Sequence, residues 1–259
     1  MKILYFDCFS GISGDMVIGA LIDAGGDSDN LVQELKKLNI KNEYELKFDK
    51  VIKNGITSTK FDVLLTHEKH EEGHEDNHKH DHDLEEHEHH DHRSYKDIVK
   101  LIKAAEFSEE VQSTAINIFK RIGVAEGKIH GVPLDEVHFH EVGAVDSIID
   151  IVGTAILLNQ LNIKMIKSSP IPVGSGKIHI DHGVYPVPAP ATLEILRGIP
   201  IAKSDLSGEL ATPTGAAIAG ELATEFCTIP AMTVESIGYG AGTKSFPNHP
   251  NVLRVIIGE

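Results

Sequence analysis

Between His67 and His92 the chain places ten of its sixteen histidines, namely His67, His70, His74, His78, His80, His82, His87, His89, His90 and His92. Eleven acidic residues lie among them, against only Lys69 and Lys79. Neutral imidazole ligates nickel, copper, zinc and cobalt, and thiolate is missing from this stretch. The interleaved carboxylates draw divalent cations in and raise the imidazole pKa values, so protons compete with metal at mildly acid pH. The irregular spacing suits several weak, exchangeable sites, as in a buffer or a delivery arm, more than one rigid structural site. Composition alone does not choose the metal.

A second constellation is VHFHEVGAVDSIID. His138 and His140 would share one face of an extended segment, with Glu141 directly following. Asp146 and Asp150 are four apart at a helix start, which stacks them on one face. The set could hold a divalent metal or pair a metal with a general base. It could equally be an acid-rich helix start beside two hydrogen-bonded core histidines. A third is DCFSGISGD, a strand, glycine loop and helix, in which Gly11 and Gly14 allow close backbone approach. No Lys-Ser/Thr follows the glycines and GxGxxG is not matched, so the loop is neither a P-loop nor a dinucleotide fingerprint. Asp7, Ser10, Ser13 and Asp15 could hold a phosphate or a metal–phosphate unit, or the loop could be a tight turn alone. HIDHGVYPVPAPAT and ELATPTGAA are weaker signals, offering His179, His182, Thr212 and Thr214.

The elements that must position these residues follow from patterning. Lys2–Phe6 reads as a buried strand, and MVIGALIDAG as a helix closed by Gly25 and Gly26. A helix is expected over Asn30–Leu38. Tyr44–Val51 and Ile56–Leu65 alternate around Asn54-Gly55, which predicts a hairpin. The segment 67–93 lacks periodicity and is expected to be a long disordered loop. Ser94 and Ser108 are placed to cap helices over Tyr95–Ala104 and from Glu109 to about Lys128. Asp146–Leu161 is the most apolar helix candidate. A strand over Lys164–Ile171, helices over Ala191–Gly198 and Thr212–Phe226, and strands over Met232–Ile237 and Val252–Ile257 complete the reading, with PVPAP irregular. The fold class is α/β, a mixed sheet with flanking helices and the His-rich loop inserted.

Composition bounds the rest. Net charge is −15, which argues against a nucleic-acid surface. Two cysteines, Cys8 and Cys227, make neither a disulfide scaffold nor a Cys-rich zinc site. No apolar run approaches the ~20 residues of a membrane span, and the start does not read as a signal peptide. A cytoplasmic protein is expected.

DCFSGISGDMVIGALIDAG, HFHEVGAVDSIIDIVG, HGVYPVPAPAT, GELATPTGAA and GYGAG…PNHPNVLRVIIGE together resemble the LarC-type nickel-insertion proteins of nickel-pincer cofactor biosynthesis. The resemblance covers residues 1–259 and matches the N-terminal part of fuller members, which continue into a CTP-associated C-terminal domain. It implies a cyclometallase of the lyase class. Such an enzyme inserts nickel into pyridinium bisthiocarboxylic acid mononucleotide, with one carbon–nickel and two sulfur–nickel bonds, at the expense of CTP with manganese or magnesium. The C-terminal domain, in cis or in trans, and a lactate racemase-like apoenzyme are the implied partners. Within it, His138, His140 and Glu141 would bind metal, with Asp146 and Asp150 completing or orienting that site; Glu141, Asp146 and Asp150 are the catalytic candidates. Asp7, Ser10, Gly11, Ser13, Gly14 and Asp15 would line the mononucleotide phosphate region. A nickel store without chemistry and a metal-dependent phosphohydrolase are the alternatives.

Overall fold

The computed structural model describes residues 1–66, 93–139, 145–180 and 183–259. The expected disordered loop therefore lies, except for Arg93, outside the described residues. The first half comprises β1 (Ile3–Asp7), α1 (Gly14–Asp23), α2 (Ser28–Leu35), β2 (Tyr44–Lys53), β3 (Ile56–Leu65), α3 (Tyr95–Ala104) and α4 (Glu109–His130). Then come α5 (Val145–Gln160), β4 (Met165–Ser168), β5 (Ile171–Pro172), β6 (Gly174–Ser175), β7 (Lys177–Ile180), β8 (Gly183–Pro186) and α6 (Pro190–Ile195). The chain continues through β9 (Ile201–Ala202), β10 (Gly208–Glu209), α7 (Pro213–Leu222), β11 (Glu225–Phe226), β12 (Val234–Ala241) and β13 (Val252–Gly258).

Seven strands form one mixed sheet in the order β11-β4-β1-β13-β12-β3-β2. β1 runs parallel to β4 and antiparallel to β13. This is the mixed α/β architecture expected from the alternation of apolar strands and helices. Leu4, Phe6, Leu253, Val255 and Ile257 from the two central strands join a single aliphatic core with α1 and α5. Burying these side chains drives association, at about 1.5–3 kcal/mol for each fully buried one. The core extends along α5, where Ile148, Ile149, Ile151, Val152 and Leu157 are all buried. Helix α1 lies close on β12, because a Cβ at Gly240 would sit 1.8 Å from the Met16 carbonyl oxygen.

Local chemistry explains the correct readings. Asn54 and Gly55 have φ of 46° and 84°, as a two-residue turn matched to strand twist requires. The Ser94 hydroxyl accepts from the Asp97 N–H, and the Asp97 carboxylate accepts from the Ser94 N–H, forming a capping box. Ser108 caps α4 through the Val111 N–H.

Several boundaries differ from expectation. The strand expected over Lys164–Ile171 stops at Ser168, because Pro170 has no N–H to continue the ladder; β5 then pairs with β9 instead. The helix expected over Thr212–Phe226 ends at Leu222, and Glu225–Phe226 forms the sheet edge against β4. Helix α6 is shorter than Ala191–Gly198 and begins at Pro190, a residue suited to a first helical position. β12 runs on through Gly238 and Gly240, where low strand propensity hid a strand that needs those glycines to admit α1. The first residues of the expected Asn30–Leu38 helix shift to Ser28 behind an Asp27 cap, and a 3₁₀ turn takes Lys36–Leu38. Among the described residues no helix is long and apolar enough to cross a membrane.

Candidate functional site

Three helices point their N-termini into one cavity of about 350 Å³. α1 contributes Ser13, Gly14 and Asp15; α5 contributes Asp146, Ser147 and Asp150; α7 contributes Thr212, Pro213 and Thr214. From β3 come Lys60 and Asp62, from β7 Ile178, from β10 Glu209, and from the loop after β12 Thr243. The glycine loop is stitched to the α7 entry by Ile12 N–H donating to Leu210 O (2.9 Å) and Thr212 N–H donating to Ile12 O (3.1 Å). The Thr212 hydroxyl accepts from the Gly215 N–H at 3.1 Å and so caps α7. The helix termini bring partial positive charge to the cavity, which suits an anion.

The side chains bring the opposite sign. Asp15, Asp62, Asp146, Asp150 and Glu209 all line the cavity, with Lys60 as the cation among them. The Lys60 side chain is 11% exposed, and its Nζ lies 2.8 Å from Asp15 and 2.7 Å from Asp62 while also donating to the Phe61 carbonyl. Burial works against its charge, but the two carboxylates outweigh that and raise its pKa. Ser13 Oγ donates to the other Asp15 oxygen. Asp146 accepts from the Ser147 N–H at 2.8 Å. Asp150 differs: its Oδ1 is buried with no hydrogen-bond partner. Burial, reinforced by Asp15 and Asp146 and opposed by Lys60, pushes its carboxyl well above the usual carboxylate range. Burial also raises Glu209, against the pull of Lys244.

The sequence-predicted residues divide into groups. Ser13, Gly14, Asp15, Asp146 and Asp150 meet in the cavity, although they come from motifs more than 130 positions apart. Asp7, Ser10 and Gly11 do not line it. Asp7 accepts from Arg254 Nε at 2.8 Å. Ser10 is fully buried, donating to the Pro250 carbonyl at 2.6 Å with its oxygen 2.8 Å from His249 Nε2. Gly11 has φ of +102°, and a Cβ there would sit 2.0 Å from the Leu210 carbonyl oxygen. A Cβ at Gly14 would sit 2.3 Å from Asp150 Oδ2. Both glycines thus serve internal packing.

His138 is exposed between buried Val137 and Phe139, pairs in a bridge with Ser94, and is not among the cavity-lining residues. His179 is exposed on β7. His140, Glu141, His182 and the ten histidines from His67 to His92 lie outside the described residues. Among the described residues no three His, Cys, Asp or Glu side chains are arranged to hold a metal ion. Lys60, Asp62, Ser147, Glu209 and Thr243 were missed. The i, i+2 spacing of Lys60 and Asp62 signals a shared strand face, but nothing local says that this face meets α1.

The cavity thus offers helix termini to an anion and carboxylates to a cation. The sequence profile of the family described as nickel insertion protein matches residues 4–259, and the chain belongs to that family. It is 55% identical, over its whole length, to a pyridinium-3,5-bisthiocarboxylic acid mononucleotide nickel insertion protein of Geobacillus kaustophilus, covering 60% of that protein. A protein of the same description from Clostridium kluyveri is 48% identical, over 100% of this chain and 62% of its own length. A putative nickel insertion protein of Dictyoglomus thermophilum is 47% identical over 100% of this chain and 61% of its own. The chain thus spans about three fifths of the length of the curated relatives it matches. No solved structure matches it.

Proposed function

We propose that this chain carries the cavity in which nickel meets pyridinium-3,5-bisthiocarboxylic acid mononucleotide, and that the reaction forms the nickel-pincer cofactor used by lactate racemase-like enzymes. The observation that supports this reading is the convergence of three helix N-termini and five carboxylates on one cavity. The termini match the mononucleotide's phosphate, and the carboxylates keep the potential favourable to an incoming divalent cation. Nickel is a substrate here. The thiocarboxylate sulfurs supply the soft donors that the cavity lacks. The His-rich segment, with His138, His140 and Glu141, would collect nickel and pass it on.

CTP with manganese or magnesium fits these residues poorly, because Lys60 is already bonded to three oxygens and no lysine follows the glycine loop. In this proposal CTP is handled by the additional C-terminal length of the relatives, supplied in cis or in trans, and the protein acts in the cytoplasm. Calorimetry with the mononucleotide tests the site. Asp146→Asn should leave nickel stoichiometry unchanged but reduce product formation about tenfold or more when the C-terminal region and CTP are supplied. Unchanged product formation would sink the cavity assignment and favour a nickel store.

A further inference from the structure

We propose that Asp150 is the base that takes the ring proton displaced when nickel bonds to carbon, an assignment that rests on the nickel-insertion reading above. The substrate's thiocarboxylates sit at ring positions 3 and 5, so a metal held by a sulfur from each arm faces the carbon between them, C4. Forming a carbon–nickel bond there breaks the C4–H bond. Its electron pair goes to nickel, which stays divalent, and the proton goes to a base. No oxidant or reductant is needed.

The base must sit in the cavity, away from water, with a lone pair free of other bonds. Asp15 is held by Ser13 and Lys60, Asp62 by Lys60, and Asp146 by the Ser147 N–H. Glu209 is part-exposed, whereas Asp150 is the cavity carboxylate with an oxygen sealed from solvent and without a partner. Its position is fixed by its place on α5 and by contact with the Gly14 backbone, where no larger residue fits. A dry carboxylate near other carboxylates is a stronger base than one in water. The unsatisfied oxygen, a cost to folding in itself, has a use at this point in the reaction.

The test follows exchange of the C4 hydrogen with solvent deuterium by NMR. The chain is mixed with nickel, the mononucleotide, CTP and the C-terminal region of a full-length relative. The wild type should exchange in a nickel-dependent manner. Asp150→Asn should slow exchange about 100-fold or more while holding nickel and mononucleotide within threefold of the wild type. Asp150→Ala should regain exchange when formate is added, a rescue that a purely structural role would not show. Exchange in Asp150→Asn within threefold of the wild type, or no recovery with formate, overturns the assignment alone. A wild type that fails to bind the mononucleotide overturns the cavity reading and this inference with it.

Discussion

Asp150 sits at one end of a contrast that runs through the cavity. Asp15 and Asp62 share Lys60, whereas Asp150 keeps a buried oxygen without a partner. Because its folded pKa is raised, the folded state binds this proton more tightly than the unfolded chain does. The stability it contributes is complete below the ordinary value of 3.8 and is lost as pH rises through the raised folded value. The groups facing it are Asp15 from α1, Asp146 from its own helix, and Lys60 and Asp62 from β3. Asp150→Asn has no proton to lose, so it should be more stable than the wild type at pH 7 by about 1–3 kcal/mol, with the advantage shrinking toward pH 4. Thermal melts at both pH values check this, and an advantage that grows on acidification would contradict the sign. Greater stability together with lost exchange is the signature expected of a residue kept for chemistry. At this scale the sequence was partly legible. Asp146 and Asp150 declared themselves because both lie on one helix start. Lys60, Asp62 and Glu209 did not, since their meeting depends on strand placement rather than on spacing.

At the scale of elements, the site depends on how three helix starts are brought together. Thr212 was readable as a cap, because threonine before proline is a common helix entry. The approach of α1 to α5 was not, although Gly14 carried it: the residue that looked like room for a phosphate is room for Asp150. The β7–β8 hairpin went unread because its strands are short and end at Pro186, and β11 was hidden as an apparent extension of α7. Two substitutions separate the contributions. Thr212→Ala removes the bond to the Gly215 N–H and should cost about 1 kcal/mol. Gly14→Ala forces a methyl onto the Asp150 carboxylate and should cost about 1–3 kcal/mol, with a larger loss of mononucleotide affinity than Thr212→Ala shows. Urea unfolding and calorimetry measure both. Gly14→Ala at wild-type stability would mean that α1 and the Asp150 side chain are not packed as closely as this contact indicates.

At the scale of the whole molecule, the single core of 1–66, 93–139, 145–180 and 183–259 carries an insertion of very different composition. Its two ends meet at one residue. The Thr66 N–H donates to the Glu43 carbonyl at 3.1 Å, and Arg93 binds the Glu43 carboxylate at 2.7 Å. The hairpin of β2 and β3 runs up to Leu65, and the Ser94 capping box starts α3 directly after Arg93. Chain entry and exit are therefore fixed by the core. Removing Glu68–His92 and joining the ends with a short glycine–serine linker should leave cooperative unfolding intact, since closing a shorter loop costs less entropy. The same deletion removes nine imidazoles and eleven carboxylates. Nickel stoichiometry by equilibrium dialysis near neutral pH should fall to a small fraction of the parent's. The parent's nickel binding should itself weaken on mild acidification, as imidazoles take up protons instead of metal. In the presence of the C-terminal region, CTP and saturating free nickel, the deleted protein should still support insertion at close to the parent rate, because the cavity is untouched. A deletion that keeps the parent's nickel stoichiometry would show that the tract is not the collector. One that loses insertion even at saturating nickel would place the tract in the chemical step itself.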